Sequence, residues 1–261
     1  MRQLVRTIIL FGIGTFAVAA CSTDARDPGE AEANAGATTT APPATERVLT
    51  VTGGGPVIQV LPGPAQFADS ARPVIDRMPQ AARDMMLMMA KNGPFSDKVA
   101  VVSGTMRATY WDRGAQGDSV AGTAEFKTQD GASWRVVLKG VAPEDANPME
   151  PHFGGVATNI GYHGSTGMHV PLVPTVQSAV SLWGMADVYR DGKLVAQDAP
   201  VHTMLTSDTR GDDFAYKCWD CTREPIEQFH LMLMPPEGKP YQVPGGVLHV
   251  MWEKSTFTEA S

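Results

Sequence analysis

Short runs rich in β-branched and aromatic residues, spaced as in hairpins, restrict the fold of this chain more than any other feature. Four such runs follow one another at 99–102, 105–111, 122–127 and 134–138. The dipeptide Asp130-Gly131 separates the last two, and Asp191-Gly192 joins two later runs at 186–189 and 194–196. Asp-Gly is typical of two-residue hairpin turns. Because no helical period interrupts these runs, they predict a mainly β fold, an antiparallel β-sandwich or barrel.

One segment ahead of these strands has a helical pattern instead. Large apolar residues recur between Ala65 and Asn92, and the sequence Asn92-Gly93-Pro94 is a typical helix end. We therefore predict a short N-terminal helical segment over residues 65–92. Pro73 and Pro79 are expected to break it into two helices. Its methionines at 85, 86, 88 and 89 are expected to fill an irregular gap in the core.

The first 21 residues have the layout of an export signal. Arg2 and Arg6 precede an uncharged apolar run over residues 7–20, which is shorter than the about 20 residues needed to cross a bilayer. The ending Val18-Ala19-Ala20-Cys21 resembles the lipobox of bacterial lipoprotein precursors. This resemblance covers only these residues. It implies cleavage before Cys21 and attachment of acyl chains, palmitate among them, to that cysteine.

The resemblance also implies how the chain is organised. A signal peptide over 1–20 is followed by the lipidated Cys21 and a disordered tether over 21–47, which is poor in large apolar residues. A single mainly-β domain is expected over 48–261. The mature protein would be anchored in a lipid bilayer of the cell envelope, facing the periplasm. Ser22 favours the outer membrane over the inner, and the net charge of −7 argues against nucleic acid as a partner.

Methionines follow three of the six histidines at a spacing of two. Side chains at positions i and i+2 of a strand share a face, so each pair would present an imidazole beside a thioether. This donor set suits the soft ion Cu(I). We therefore predict a transition-metal site, with copper as the favoured ion, and His163 and His169 are candidates for its lid. The expected ligands are His202, Met204, His230, Met232, His249 and Met251.

The residues that alternate with these pairs are apolar enough to form a core face of their own. They include Val201 and Leu205, Phe229 and Leu231, and Val250. The face that carries histidine and methionine is therefore expected to look outward, to be covered by another layer or to line a pocket. A purely structural face remains the alternative, in which the protein is a scaffold or interaction lipoprotein of the envelope without a metal.

A glycine-rich loop over residues 152–169 is a second candidate site. It contains His152, His163 and His169, and loops of this kind can fold over a ligand. A hydrolase-type enzyme that uses this loop is therefore a further alternative. The sequence has no HExxH motif, and Ser165 lacks the context of a nucleophile elbow, so an enzyme is the less favoured interpretation.

The sequence Cys218-Trp219-Asp220-Cys221 contains the two thiols that remain once Cys21 is lipidated. In an oxidising envelope these cysteines are expected to form a structural disulfide, which would close a tight loop between the strands of His202 and His230. A redox role or thiolate binding of a metal is the alternative. Attachment of a c-type haem is excluded, because the residue after Cys221 is Thr222 and not histidine.

Overall fold

The computed structural model of the protein describes residues 46–114, 117–142, 155–166, 168, 170–236 and 239–260. Over these ranges the chain forms the predicted mainly β, antiparallel fold. The helices are α1 (Ala68–Ile75) and α2 (Gln80–Asn92). The strands are β1 (Arg47–Thr52), β2 (Val57–Val60), β3 (Val99–Val102), β4 (Gly104–Asp112), β5 (Ser119–Lys127), β6 (Ser133–Val141), β7 (Gly155–Tyr162), β8 (Val176–Arg190), β9 (Lys193–Ser207), β10 (Ile226–Leu233), β11 (Leu248–Trp252) and β12 (Thr256–Ala260).

All of these strands belong to one sheet in the order β12-β1-β4-β5-β6-β8-β9-β10-β11-β2-β3, with β7 paired to β8 off this path. Two strands, β6 and β7, pair with the same edge of the long strand β8. Its second half pairs with β6, for example at Val136↔Val188, and its first half pairs with β7 at Tyr162↔Val176. Both pairings are antiparallel, as the hairpin pattern predicts.

The sheet curls back on itself because β1 and β2 are two halves of one interrupted strand. Thr52 is opposite Arg107 of β4, and Val57 is opposite Val102 of β3, in one continuous register. Since β1 stands near one end of the strand order and β2 near the other, this interrupted strand brings the two ends of the sheet together. Across the interior, the hydroxyl of Tyr110 on β4 lies 2.9 Å from Thr203 Oγ1 on β9.

The interior of the curled sheet is the main apolar core. The residues that were expected to form a core face on β9, β10 and β11 point into it. Each is at most 1 % exposed, which confirms the predicted alternation: Val201, Leu205, Phe229, Leu231, Leu233, Leu248, Val250 and Trp252. Histidine and methionine therefore occupy the outer face of the same three strands.

The predicted helical segment is present as two helices, and the break between them lies at residues 76–79. Pro79 immediately precedes α2, where its fixed φ suits a helix start. The expectation that Pro73 would also break the helix is wrong, because Pro73 lies inside α1. It stands close to the end of a short helix, where the loss of one backbone hydrogen bond is tolerated. Neither described helix has the length and apolar content needed to cross a membrane.

The predicted loop over 152–169 is only partly a loop. Its middle forms strand β7, which pairs with β8 from Gly155↔Trp183 to Tyr162↔Val176. Val156, Ile160 and Tyr162 supply spaced apolar contacts that outweigh the high glycine content of this stretch. His152 and His169, like Cys21 and the tether before residue 46, lie outside the described residues.

Candidate functional site

The outer face of β9, β10 and β11 presents imidazoles and thioethers in a checkerboard. Met232 stands opposite a histidine on each neighbouring strand, and His230 stands opposite a methionine on each neighbouring strand. Donor types therefore alternate both along the strands and across them. The two rows across the sheet are His202–Met232–His249 and Met204–His230–Met251.

A second layer covers this face. His202, Met204 and His249 are each at most 4 % exposed. Met232 packs with residues of α2 and with Phe95, and the edge of the Phe95 ring contacts His249 at a centroid distance of 6.2 Å. Of the three arrangements expected for the histidine and methionine face, the structure has a covered face that also lines a pocket.

A cavity of about 50 Å³ lies between the sheet and its cover. This volume exceeds the about 10 to 15 Å³ that a cavity needs to hold one water molecule, so the space is large enough for an ion. Six predicted ligand or lid residues share its wall: His163, His202, Met204, His230, Met232 and His249. We call this space the His/Met cavity. Most of the remaining wall is apolar.

His163 reaches the cavity from the turn after β7. Its φ of 61° is in the left-handed region, which is uncommon for a residue with a side chain. Thr166 holds this turn, because its Oγ1 donates to the carbonyl oxygen of His163 at 2.7 Å. The ring nitrogen Nε2 of His163 lies 3.4 Å from Met204 Sδ. Backbone conformations of this kind concentrate at binding and catalytic sites.

A chain of hydrogen bonds fixes the tautomers of the central histidine pair. His249 Nδ1 lies 2.8 Å from the carbonyl oxygen of Pro94, so this nitrogen carries the proton and donates it. Nε2 of neutral His249 then accepts a hydrogen bond from His230 Nδ1 at 3.2 Å. His230 Nε2, 3.2 Å from Thr206 Oγ1, accepts from that hydroxyl.

His202 is held in a similar way on the other side of the cavity. Its Nδ1 donates to the carbonyl oxygen of Leu182 at 2.9 Å, and its ring stacks on Trp183 at 4.3 Å. A histidine that binds a metal through one nitrogen commonly donates the other N–H to a carbonyl oxygen or a carboxylate. His202 and His249 both have this arrangement, with Nδ1 donating to a carbonyl oxygen.

All four described cavity histidines are neutral at neutral pH. Burial lowers the pKa of His202 and of His249 to about 4. Burial also holds the pKa of His163 and of His230 well below the usual histidine value, and the neighbouring imidazoles lower both further. Neutral imidazole is the form that binds a metal ion, so no proton has to be removed by the metal at pH 7.

The disulfide between Cys218 and Cys221 is present, as predicted. Its small loop is tied to the cover of the cavity through Thr175, whose carbonyl oxygen accepts from the backbone N–H of Cys221 at 2.8 Å. Cys221 also belongs to the apolar cluster that contains Met204 and Tyr162. The disulfide loop therefore helps to hold one wall of the His/Met cavity.

Met251, one of the predicted ligands, does not line the His/Met cavity. Met251 packs against Ile58 and Val60 in a separate apolar cluster, although it is opposite His230 in the register. His169 lies outside the described residues. Thr206, which bonds to His230 Nε2, was not predicted, although its position two residues after Met204 places both on one face of the strand.

Ser165, from the predicted hydrolase loop, has a structural partner. Its Oγ lies 3.0 Å from Thr175 Oγ1, and its backbone N–H donates to the same oxygen at 2.8 Å. Within the described ranges, histidine, cysteine, aspartate and glutamate alone form no group of three or more that could hold a metal. A metal site here therefore has to include the methionine sulfurs.

No family model, curated protein or solved structure significantly matches this chain. Its function is therefore argued from the geometry of the site.

Proposed function

We propose that this protein binds Cu(I) in the His/Met cavity. The observation that carries the proposal is that four imidazoles and two thioethers, contributed by four separate segments, surround one buried space of about 50 Å³. Thioether sulfur is a soft ligand that selects Cu(I), and imidazole binds copper as well. The three segments with the His-x-Met pattern supply five of these six residues.

The spacing of the donor atoms fits two pairs of ligands. His230 Nδ1 and His249 Nε2 are 3.2 Å apart, and His163 Nε2 and Met204 Sδ are 3.4 Å apart. Where bonds to the ion measure about 2.0 Å from nitrogen and about 2.3 Å from sulfur, adjacent ligand atoms of a tetrahedral site are about 3.3 Å apart for two nitrogens and about 3.5 Å apart for nitrogen and sulfur. Within each pair, the two donor atoms are therefore spaced much as neighbouring ligands of an ion are.

Binding at the central pair requires one change of tautomer. The proton on His230 Nδ1 has to move to Nε2, where Thr206 Oγ1 can accept its hydrogen bond instead of donating one. Thr206 can then donate to the carbonyl oxygen of Gln228, which is 3.5 Å away. His230 Nδ1 then has a lone pair to offer, as His249 Nε2 already does. No net charge is created in this step.

A monovalent ion suits this cavity better than a divalent one. All six donor side chains are neutral, and the free energy of burying an ion in an apolar environment rises steeply with its charge. Cu(I) therefore loses less solvation than Cu(II) or Zn(II). The thioethers add to this preference because they are soft donors.

The proposed location is the outside of a bacterial membrane. There the acylated Cys21 would hold the protein to the lipid, most favourably at the periplasmic face of the outer membrane, and the residues between Cys21 and β1 would act as a tether. The disulfide between Cys218 and Cys221 supports an oxidising compartment. Cell envelopes are exposed to oxygen, and copper has to be bound there in a controlled form.

A Cu(I) competition titration tests this function. Full-length protein with Cys21→Ser has no free thiol when its disulfide is intact, and ascorbate keeps copper reduced. We expect at least one tightly bound equivalent, and Met204→Leu should lower the affinity of the equivalent in the His/Met cavity at least tenfold. Met251→Leu is the matched control, because it removes a thioether from the same row outside the cavity. No tight binding, or equal effects of the two substitutions, would contradict the proposal.

A further inference from the structure

A second and much larger cavity lies between α2 and the outer face of the sheet. Its volume is about 750 Å³, and seven of the 14 methionines in the chain line it. Four of them, Met85, Met86, Met88 and Met89, come from α2. We call this space the methionine groove. Such a concentration of thioethers at one surface exceeds what is needed to fill a gap in a core.

The sheet side of the groove continues the checkerboard of the His/Met cavity. Met185 of β8 is opposite Pro200 of β9, and the backbone N–H of Met234 donates to the carbonyl oxygen of Pro200 at 3.1 Å. Met185 and Met234 therefore flank Pro200 in a row next to that of His202 and Met232. The row of Met185 and Met234 contains thioethers and no imidazole, whereas the next row contains the imidazole of His202 as well.

One thioether joins the two spaces. Met232 lines both the methionine groove and the His/Met cavity, and so do Phe95 and Trp183. The Met232 side chain is therefore within reach of an ion in either space. The wall on the groove side of Met232 is almost entirely apolar, with prolines and valines between the methionines.

On the helix side of the groove, the thioethers of α2 range from exposed to buried. Met85, Met88 and Met89 are spaced by three and four residues, so they share one face of α2. Met88 is 66 % exposed, whereas Met86 is 2 % exposed. Because a methionine side chain is flexible and its sulfur polarizable, these residues can adjust their sulfur positions around an ion.

We propose that the methionine groove is a second site for Cu(I), built from thioethers alone, and that it passes the ion to the His/Met cavity through Met232. Sites of thioether sulfur favour Cu(I) over Cu(II) and Zn(II), and the apolar wall offers a hydrated divalent ion no partners. The proposal that the groove binds Cu(I) rests on the methionines that line it. The transfer step rests on the function proposed above.

Silver titration of the full-length Cys21→Ser protein tests the second site, because Ag(I) mimics Cu(I) and needs no reductant. We expect two equivalents bound per chain. The groove variant replaces Met85, Met88, Met89, Met185 and Met234 with leucine, which conserves volume and apolar character. It should bind one equivalent. Control substitutions at methionines outside both spaces, Met78→Leu and Met168→Leu, should leave two.

The outcomes separate the two proposals. If the protein binds a single equivalent, and Met204→Leu loses it while the groove variant keeps it, the methionine groove is not a metal site. The proposed function then still holds. A single equivalent that only the groove variant loses supports the groove and contradicts the His/Met cavity. No bound silver, or two equivalents retained in the groove variant, overturns the groove.

A second measurement does not depend on the fold of the variants. In the Cys21→Ser protein with ¹³C-labelled methionine methyl groups, two equivalents of Ag(I) should shift the signals of Met89 and Met234 together with that of Met204. The signal of Met78 should stay in place. If Met204 shifts while Met89 and Met234 do not, the groove is not a metal site.

Discussion

Acidification should destabilise the metal-free protein at a pH well above the range in which ordinary carboxyl groups titrate. Burial lowers the pKa of His202 and of His249 to about 4, whereas a histidine in the unfolded chain titrates near pH 6.5. Between these values the unfolded chain binds more protons than the folded one. The contribution of these two neutral histidines to the free energy of unfolding is therefore complete above pH 6.5 and is lost as the pH falls towards 4.

The magnitude follows from the size of the pKa difference. At pH 5 each of these two histidines lowers the free energy of unfolding by about 2 kcal/mol relative to pH 7.5, since one pKa unit corresponds to about 1.36 kcal/mol. Together they account for about 4 kcal/mol, a large share of the about 5 to 15 kcal/mol that stabilises a typical domain. The lowered pKa values of His163 and His230 act in the same direction.

Urea unfolding of metal-free protein at pH 7.5 and pH 5, followed by tryptophan fluorescence, measures this loss. The control variant is His202→Asn/His249→Asn, because an asparagine amide can donate to the carbonyl oxygens of Leu182 and Pro94 but does not titrate. It should lose about 4 kcal/mol of the pH dependence. An equal stability of the unmodified protein at both pH values would refute the reasoning, and so would an unchanged pH dependence in the variant.

Three further variants should each have a lower free energy of unfolding in urea experiments. Tyr110→Phe should cost about 1 to 3 kcal/mol, because the buried Thr203 hydroxyl loses its partner across the core, and a change below about 0.5 kcal/mol would contradict this. Cys218→Ser/Cys221→Ser should cost about 2 kcal/mol through closure of a short loop, and an unaltered midpoint would count against it. Gly164→Ala should cost at least about 2 kcal/mol, since its φ of 53° is left-handed and a Cβ would overlap a threonine hydroxyl; a neutral effect would show that the turn relaxes.

The turns of the fold could be predicted, but the lengths of the strands could not. Asp191 and Gly192 both have positive φ, 50° and 76°, as a tight hairpin turn between β8 and β9 requires. The strands around this turn were expected over 186–189 and 194–196, yet each is 15 residues long. Residues 178–182 are buried on both faces, so the alternation that marks a strand is absent there.

In the candidate site, too, the features that depend on local sequence could be predicted, and those that depend on tertiary contacts could not. The spacing of two placed His202 and Met204 on one face because that depends only on strand geometry. The separation of Met251 from the cavity depends instead on its other neighbour, Ile58 of β2, which no local pattern indicates. The approach of His163 depends on a left-handed turn after a strand in a glycine-rich stretch.

The two faces of β9, β10 and β11 meet different requirements. Hydrocarbon side chains on the inner face already provide the core, and a cover over the outer face needs no imidazoles for packing. A buried imidazole has two nitrogen atoms that each need a polar partner, so it is a costly choice where valine or leucine would fit. Residues that depart from the simplest packing solution concentrate at functional sites. In this protein the departure coincides with soft donor atoms, and the proposed copper binding would depend on His230 exchanging its proton between two nitrogens beside Thr206.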